Sequence, residues 1–74
     1  MTRLPALTGR EVVKALGKIG YELDRQHGSH MILRHPDPPY RRLVVPDHKE
    51  VRRGTLRAII RQAGLSVSEF LELI

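Results

Sequence analysis

The apolar residues of this chain follow two rhythms. Val12, Val13, Leu16 and Ile19 recur at the intervals of one helix face. Thr8-Gly9-Arg10-Glu11 precedes them in the order of a capping box, Thr8 accepting from a free amide and Glu11 reaching back, and Gly20 supplies a stop. Together they predict a helix over roughly 9–19. The period then changes to two. Tyr21 and Leu23 alternate with Glu22 and Asp24, His27-Gly28-Ser29 reads as a turn, and His30–His35 reads as a second strand. In that strand Met31 and Leu33 fall on one face, His30, Ile32 and Arg34 on the other. Pro36-Asp37-Pro38-Pro39 interrupts regular structure, and Arg41–Val45 predicts a third strand closed by Pro46. With Leu43 and Val45 turned to the core, Arg42 shares a face with Arg34 and His30. Helical spacing returns at Leu56, Ile59, Ile60 and Ala63, with Arg53, Arg57 and Arg61 on another face and Gly64 at the end. Ser66-Val67-Ser68-Glu69 repeats the capping box and opens a short last helix, with Val67, Phe70, Leu71 and Ile74 expected inward.

The order helix, three consecutive strands, helix, helix predicts an α+β fold. The expected architecture is a two-layer sandwich in which the helices cover one face of an antiparallel sheet and leave the other open. Double-stranded-RNA-binding domains share this arrangement. The open face would carry His30, Arg34 and Arg42. A chain of 74 residues is expected to form a single domain over 1–74, with a thin core and no room to enclose a large cofactor.

Charge sharpens the picture. Thirteen Lys and Arg, ten of them Arg, oppose eight Asp and Glu, for a net charge of +5. Arginine is the better fork for phosphate, so the balance points to a polyanionic partner, or else to the residue usage of an arginine-rich genome. There is no cysteine, which excludes disulfides and thiolate zinc sites and suits a reducing compartment. No apolar run approaches the ~20 residues of a membrane span. Met1–Leu16 lacks the continuous apolar stretch of a signal peptide, so a cytoplasmic location without membrane contact is expected.

The histidines carry the candidate chemistry. His30 follows Gly28 and Ser29, where a glycine admits close backbone approach and the hydroxyl and turn amides can bond a phosphate oxygen. Imidazole titrates near neutrality and can move a proton. RNA supplies its own nucleophile, the 2′-hydroxyl. A ribonuclease therefore needs only a base, a donor for the leaving 5′-oxygen and a cation on the phosphate. His30 with Arg34, Arg42 or Lys49 would provide them without a metal. The residues alone also allow His30 to be a turn-edge histidine that at most touches phosphate. His48, fixed in direction by Pro46, reads as a second acid/base group, a phosphate donor or a plain loop residue. The spacing of His27, His30, His35 and His48 gathers no metal site, because His30 and His35 would point to opposite faces of a strand. His27 and His35 read as surface or partly packed. The Arg53, Arg57 and Arg61 stripe would track a phosphate backbone, meet an acidic partner, or be a solvated helix face.

Three segments together resemble the HicA, or YcfA-like, toxin family: GYELDRQHGSHMILRHPD, VVPDH, and GTLRAIIRQAGLSVSEFLEL. They match the family's Gly-Ser-His before a strand ending in Arg-His-Pro, its Val-Pro-x-His, and its Gly-Thr-Leu-Arg-x-Ile helix, over nearly the whole chain. The resemblance implies a fold similar to double-stranded-RNA-binding domains and a ribosome-independent mRNA interferase of a type II toxin–antitoxin module. It implies no cofactor, and a HicB antitoxin that masks the active site. The family's active histidine falls on His30, its Gly-Ser neighbours on Gly28 and Ser29, and its Val-Pro-x-His histidine on His48. Arg34, Arg42 and Lys49 are expected to contact phosphate, and the free toxin is expected to be a monomer. The loop over 36–40, with three prolines, departs from the short glycine-containing turn often seen there. The expectation from another class is a non-catalytic RNA- or DNA-binding module on the same fold.

Overall fold

The computed structural model describes residues 3–74. Its element order is α1 (Gly9–Gly17), β1 (Glu22–His27), β2 (His30–Arg34), β3 (Arg42–Pro46), α2 (Arg53–Gln62) and α3 (Val67–Leu71). The fold is α+β, and the three strands form one antiparallel sheet in the order β1-β2-β3.

Both capping boxes form. The Thr8 hydroxyl accepts from the Glu11 amide at 3.0 Å while the Glu11 carboxylate accepts from the Thr8 amide at 2.8 Å, and Ser66 and Glu69 repeat the exchange at the start of α3. Thr8→Ala is expected to cost about 1 kcal/mol of stability, read from the urea midpoint. Backbone bonds from Tyr21 to Leu16 and from Gly20 to Gly17 close the end of α1, and Leu65 to Ile60 with Gly64 to Arg61 do the same for α2.

The inner sheet face is Met31, Leu33, Leu43 and Val45, all at most 2% exposed. Against it lie Val12, Ala15 and Leu16 of α1, Leu56, Ile59 and Ile60 of α2, and Phe70 of α3. Leu4, Leu7 and Val51 complete the core without any periodic pattern to announce them. They are joined by the Val51 N–H donating to the Leu7 carbonyl at 2.8 Å.

The differences from expectation have local causes. β1 runs to His27, beyond the alternation seen in sequence, because it is an edge strand exposed at every position and its register shifts between Leu23 and Arg25. Leu23 is consequently half exposed instead of sharing the burial of Tyr21. His35 leaves β2 to pack against the Tyr21 ring, edge to face. The Ile19 carbonyl can only accept, so the His35 Nε2 at 2.8 Å carries the proton, and Nδ1 accepts from the Asp37 amide. Ile74, expected inward, is half exposed because α3 ends at Leu71.

Candidate active site

Strand register decides which side chains meet on the open face. Arg34 pairs with Arg42, Ile32 with Val44 and His30 with Pro46 across β2 and β3. Glu22 pairs with Arg34, Arg25 with Ile32 and His27 with His30 across β1 and β2. Met31 and Leu33 are buried, so these alternate partners all look outward. The expectation that His30, Arg34 and Arg42 share this face is met. His27, read in sequence as a surface or partly packed residue, is exposed and is the direct cross-strand neighbour of His30.

His30 opens β2 at the end of a tight turn. Gly28 sits at φ +57°, a conformation in which an added side chain would be strained, and the space above it is open. Ser29 is exposed, and its carbonyl accepts from the Asp47 amide at 2.6 Å. Beside this turn lies a shallow cleft of about 470 Å³, lined by His30, Val44, Pro46, His48, Glu50, Arg52 and Thr55. Histidines eighteen positions apart in the chain thus line one cleft. Lys49 is exposed in the same loop but does not line the cleft. Arg34 and Arg42 lie at the far end of their strands, four residues from His30, or about 13 Å at strand rise. They stand too far along the strands to reach an atom held at His30.

Arg52 and Thr55 were not singled out in sequence. Arg52 flanks the first residue of α2, where no side chain caps the helix and no acid occupies the first turn. The free amides and positive dipole end of α2 therefore open beside the two histidines. The one hint in the sequence is the missing capping residue before Gly54-Thr55. Arg53, Arg57 and Arg61 are exposed on α2, and none of them lines the cleft.

A polar network ties together the segments that flank the cleft. The Asp47 carboxylate accepts from Gln26 Nε2 at 3.0 Å and from Arg10 at 3.2 Å, and Gln26 also donates to the Gly28 carbonyl at 3.0 Å. The His48 carbonyl accepts from the Gly9 amide at 2.9 Å. Thus β1, the Gly-Ser turn, the Asp47-His48 segment and the start of α1 are tied together. The Gln26 hydrogen bond, and after it Arg10 and His48, hold the Asp47 carboxyl below the usual aspartate range. A lowered folded-state value favours folding above the unfolded carboxyl's pKa, and that favour fades as pH falls through the folded value. Asp47→Asn is expected to flatten the acid limb of a Tm–pH curve below about pH 4 while leaving its neutral region nearly level. An unchanged acid limb would show that the network does not titrate.

Among the described residues no three His, Asp or Glu side chains gather as metal ligands, and no helix is long and apolar enough to cross a membrane. A search among curated proteins finds no match to the chain. The family model described as the HicA toxin of bacterial toxin–antitoxin matches residues 9–65, from the start of α1 through the end of α2. That span takes in the Gly-Ser-His turn, the Asp47-His48 segment and both walls of the cleft, and covers well over half of the 74 residues. The chain belongs to the HicA toxin family of bacterial toxin–antitoxin modules.

Proposed function

We propose that this chain is a metal-independent endoribonuclease that cuts mRNA in the cytoplasm, the toxin of a HicA/HicB pair. It would act as one domain over 1–74 and, free of antitoxin, as a monomer. The observation that carries the reading is the cleft in which His30 and His48 meet beside Arg52.

The chemistry needs little else. His30 takes the proton of the 2′-hydroxyl, whose oxygen attacks the adjacent phosphorus. The bond from phosphorus to the 5′-oxygen breaks, that oxygen takes a proton from solvent, and His30 returns to solvent the proton it took. The products are a 2′,3′-cyclic phosphate and a 5′-hydroxyl. His48, Arg52 and the free amides at the start of α2 donate to the phosphate oxygens as negative charge grows on them. Gly28 and Ser29 leave room for the strand beside the base. Arg34 and Arg42 hold flanking phosphates further along the sheet. A HicB antitoxin would silence the protein by covering His30, and an acidic surface would suit a partner of net charge +5.

The test is incubation of the antitoxin-free protein with a long mRNA in EDTA. Cutting with cyclic-phosphate ends is the expected result. Ends bearing a 3′-hydroxyl would overturn attack by the internal 2′-hydroxyl. Binding without cutting, with a salt slope of roughly −0.7 to −0.9 per phosphate contacted, would make the protein a binding module.

A further inference from the structure

A second cavity, of about 400 Å³, opens at the other end of the sheet. Its walls are Glu22, Leu23, Asp24, Arg34, Pro36 and Tyr40. Tyr40 is the conspicuous member. It is 61% exposed, the most exposed large hydrophobic side chain among the described residues. Its backbone sits at φ +58°, which costs a bulky residue energy and is held by its N–H donating to the Asp37 carbonyl at 2.8 Å. An aromatic ring presented to solvent from a strained position is poorly explained by folding alone.

The other walls define what would stack on it. Glu22 faces Arg34 across the strand pair, and no ion pair joins the two among the described residues. Asp24 sits at the register shift of β1, 3.9 Å from the Arg25 guanidinium, too long for a strong bond. Two carboxylates repel phosphate, so the cavity itself is no phosphate cradle. They accept N–H donors. A flat ring carrying such donors, stacked on an aromatic face and followed by a phosphate near Arg34 and Arg42, is an unpaired nucleotide. Among the four bases only guanine offers two adjacent N–H groups, N1 and N2, to one carboxylate in a bidentate pair.

We propose that Tyr40, Glu22 and Asp24 form a guanine-binding subsite that fixes where a single-stranded RNA lies on the open face relative to His30. The proposal rests on the ribonuclease reading for its consequence and on the cavity for its ligand. The separation of about 13 Å along β2 sets the subsite a few nucleotides from the cut. It makes Tyr40 a specificity residue and leaves the proton transfer at His30.

Two measurements test it. The first is a titration of the labelled protein with GMP, AMP, CMP and UMP in turn, followed by amide NMR. The expected result is that GMP acts at the lowest concentration and moves the amides of Leu23, Asp24 and Tyr40. Equal response to all four nucleotides, or response confined to the His30 cleft, would overturn the subsite whether or not the protein cuts RNA. The second maps cut positions in a mixed-sequence RNA. Guanine is expected at a fixed offset from the cut. Tyr40→Ala should slow cutting at those sites roughly 5- to 100-fold, and the double variant E22Q/D24N should erase the preference for guanine. Cutting with no base preference at any offset, or with a preference that Tyr40→Ala leaves intact, would also overturn it. Failure of the wild type to cut at all would sink the ribonuclease reading, and the titration alone would then decide the subsite.

Discussion

His30→Ala is expected to lower RNA cleavage by about 10²- to 10⁴-fold with little change in Tm. The rate estimate is the usual worth of a positioned acid or base. The small stability effect follows from exposure: His30 lies on the solvent side of β2, and surface substitutions away from caps and networks typically move stability by no more than about 0.5 kcal/mol. His48→Ala should be milder, roughly 10- to 100-fold, if its part is one charge-assisted bond to the phosphate. Arg34→Ala and Arg42→Ala should behave differently again. They sit too far along the strands to touch the same phosphorus, so each should weaken binding and reduce the salt slope by about 0.7 to 0.9, with chemistry on bound RNA preserved. The assay is single-turnover cleavage at saturating protein, beside binding at several salt concentrations. A His30→Ala protein that folds and cuts at the wild-type rate would remove His30 from the reaction.

The elements that sequence reveals best are those in which local and tertiary preferences agree. α1 announces itself by apolar spacing, a capping box and a terminal glycine, α2 by apolar spacing and Gly64, and α3 by apolar spacing and its capping box, while β2 and β3 are marked by the alternation of Met31, Leu33, Leu43 and Val45 with residues of the opposite face. β1 is only half legible. β1 buries no face of its own, and the irregularity at Asp24 breaks the period of two, so Arg25, Gln26 and His27 carry no pattern. The candidate site divides along the same line. His30 stands out because a Gly-Ser turn precedes a strand, and the alternation fixes its face. That His48 and Arg52 reach it, while Lys49 does not, depends on how the loop over 47–52 folds back over Pro46, which is a matter of tertiary bonds from Gly9 and Ser29. Gln26 illustrates the limit. Nothing in its neighbourhood marks it, yet it bonds both the Gly-Ser turn and Asp47 beside the cleft.

Gly9→Ala and Gly17→Ala, two glycine substitutions in one helix, are expected to change stability in opposite directions. Helix propensity alone favours both, since alanine is better than glycine by up to about 1 kcal/mol in a helix interior. At Gly17 nothing lies within 4 Å of an added Cβ, so the propensity gain should survive as a rise of a few tenths to about 1 kcal/mol. At Gly9 an added Cβ would overlap the Pro46 carbonyl oxygen, with the carbonyl carbon at 2.9 Å and Asp47 Cα at 3.1 Å. All three are backbone atoms and have no rotamer by which to retreat. Either α1 lifts off the sheet or the Pro46–Asp47 segment moves, at a cost of roughly 1 to 3 kcal/mol and a fall in Tm on the order of 10 °C. The steric term exceeds the propensity term, so Gly9→Ala destabilises. The consequence also reaches the site. Pro46 is the cross-strand partner of His30, and the Gly9 amide holds the His48 carbonyl, so any shift there separates the two histidines. Cleavage by Gly9→Ala should therefore fall well below wild type even at a temperature where the variant is fully folded, whereas Gly17→Ala should cut normally. Equal stability of the two variants would mean that α1 does not press on the Pro46 carbonyl, and the close approach that ties the first helix to the histidine cleft would be wrong.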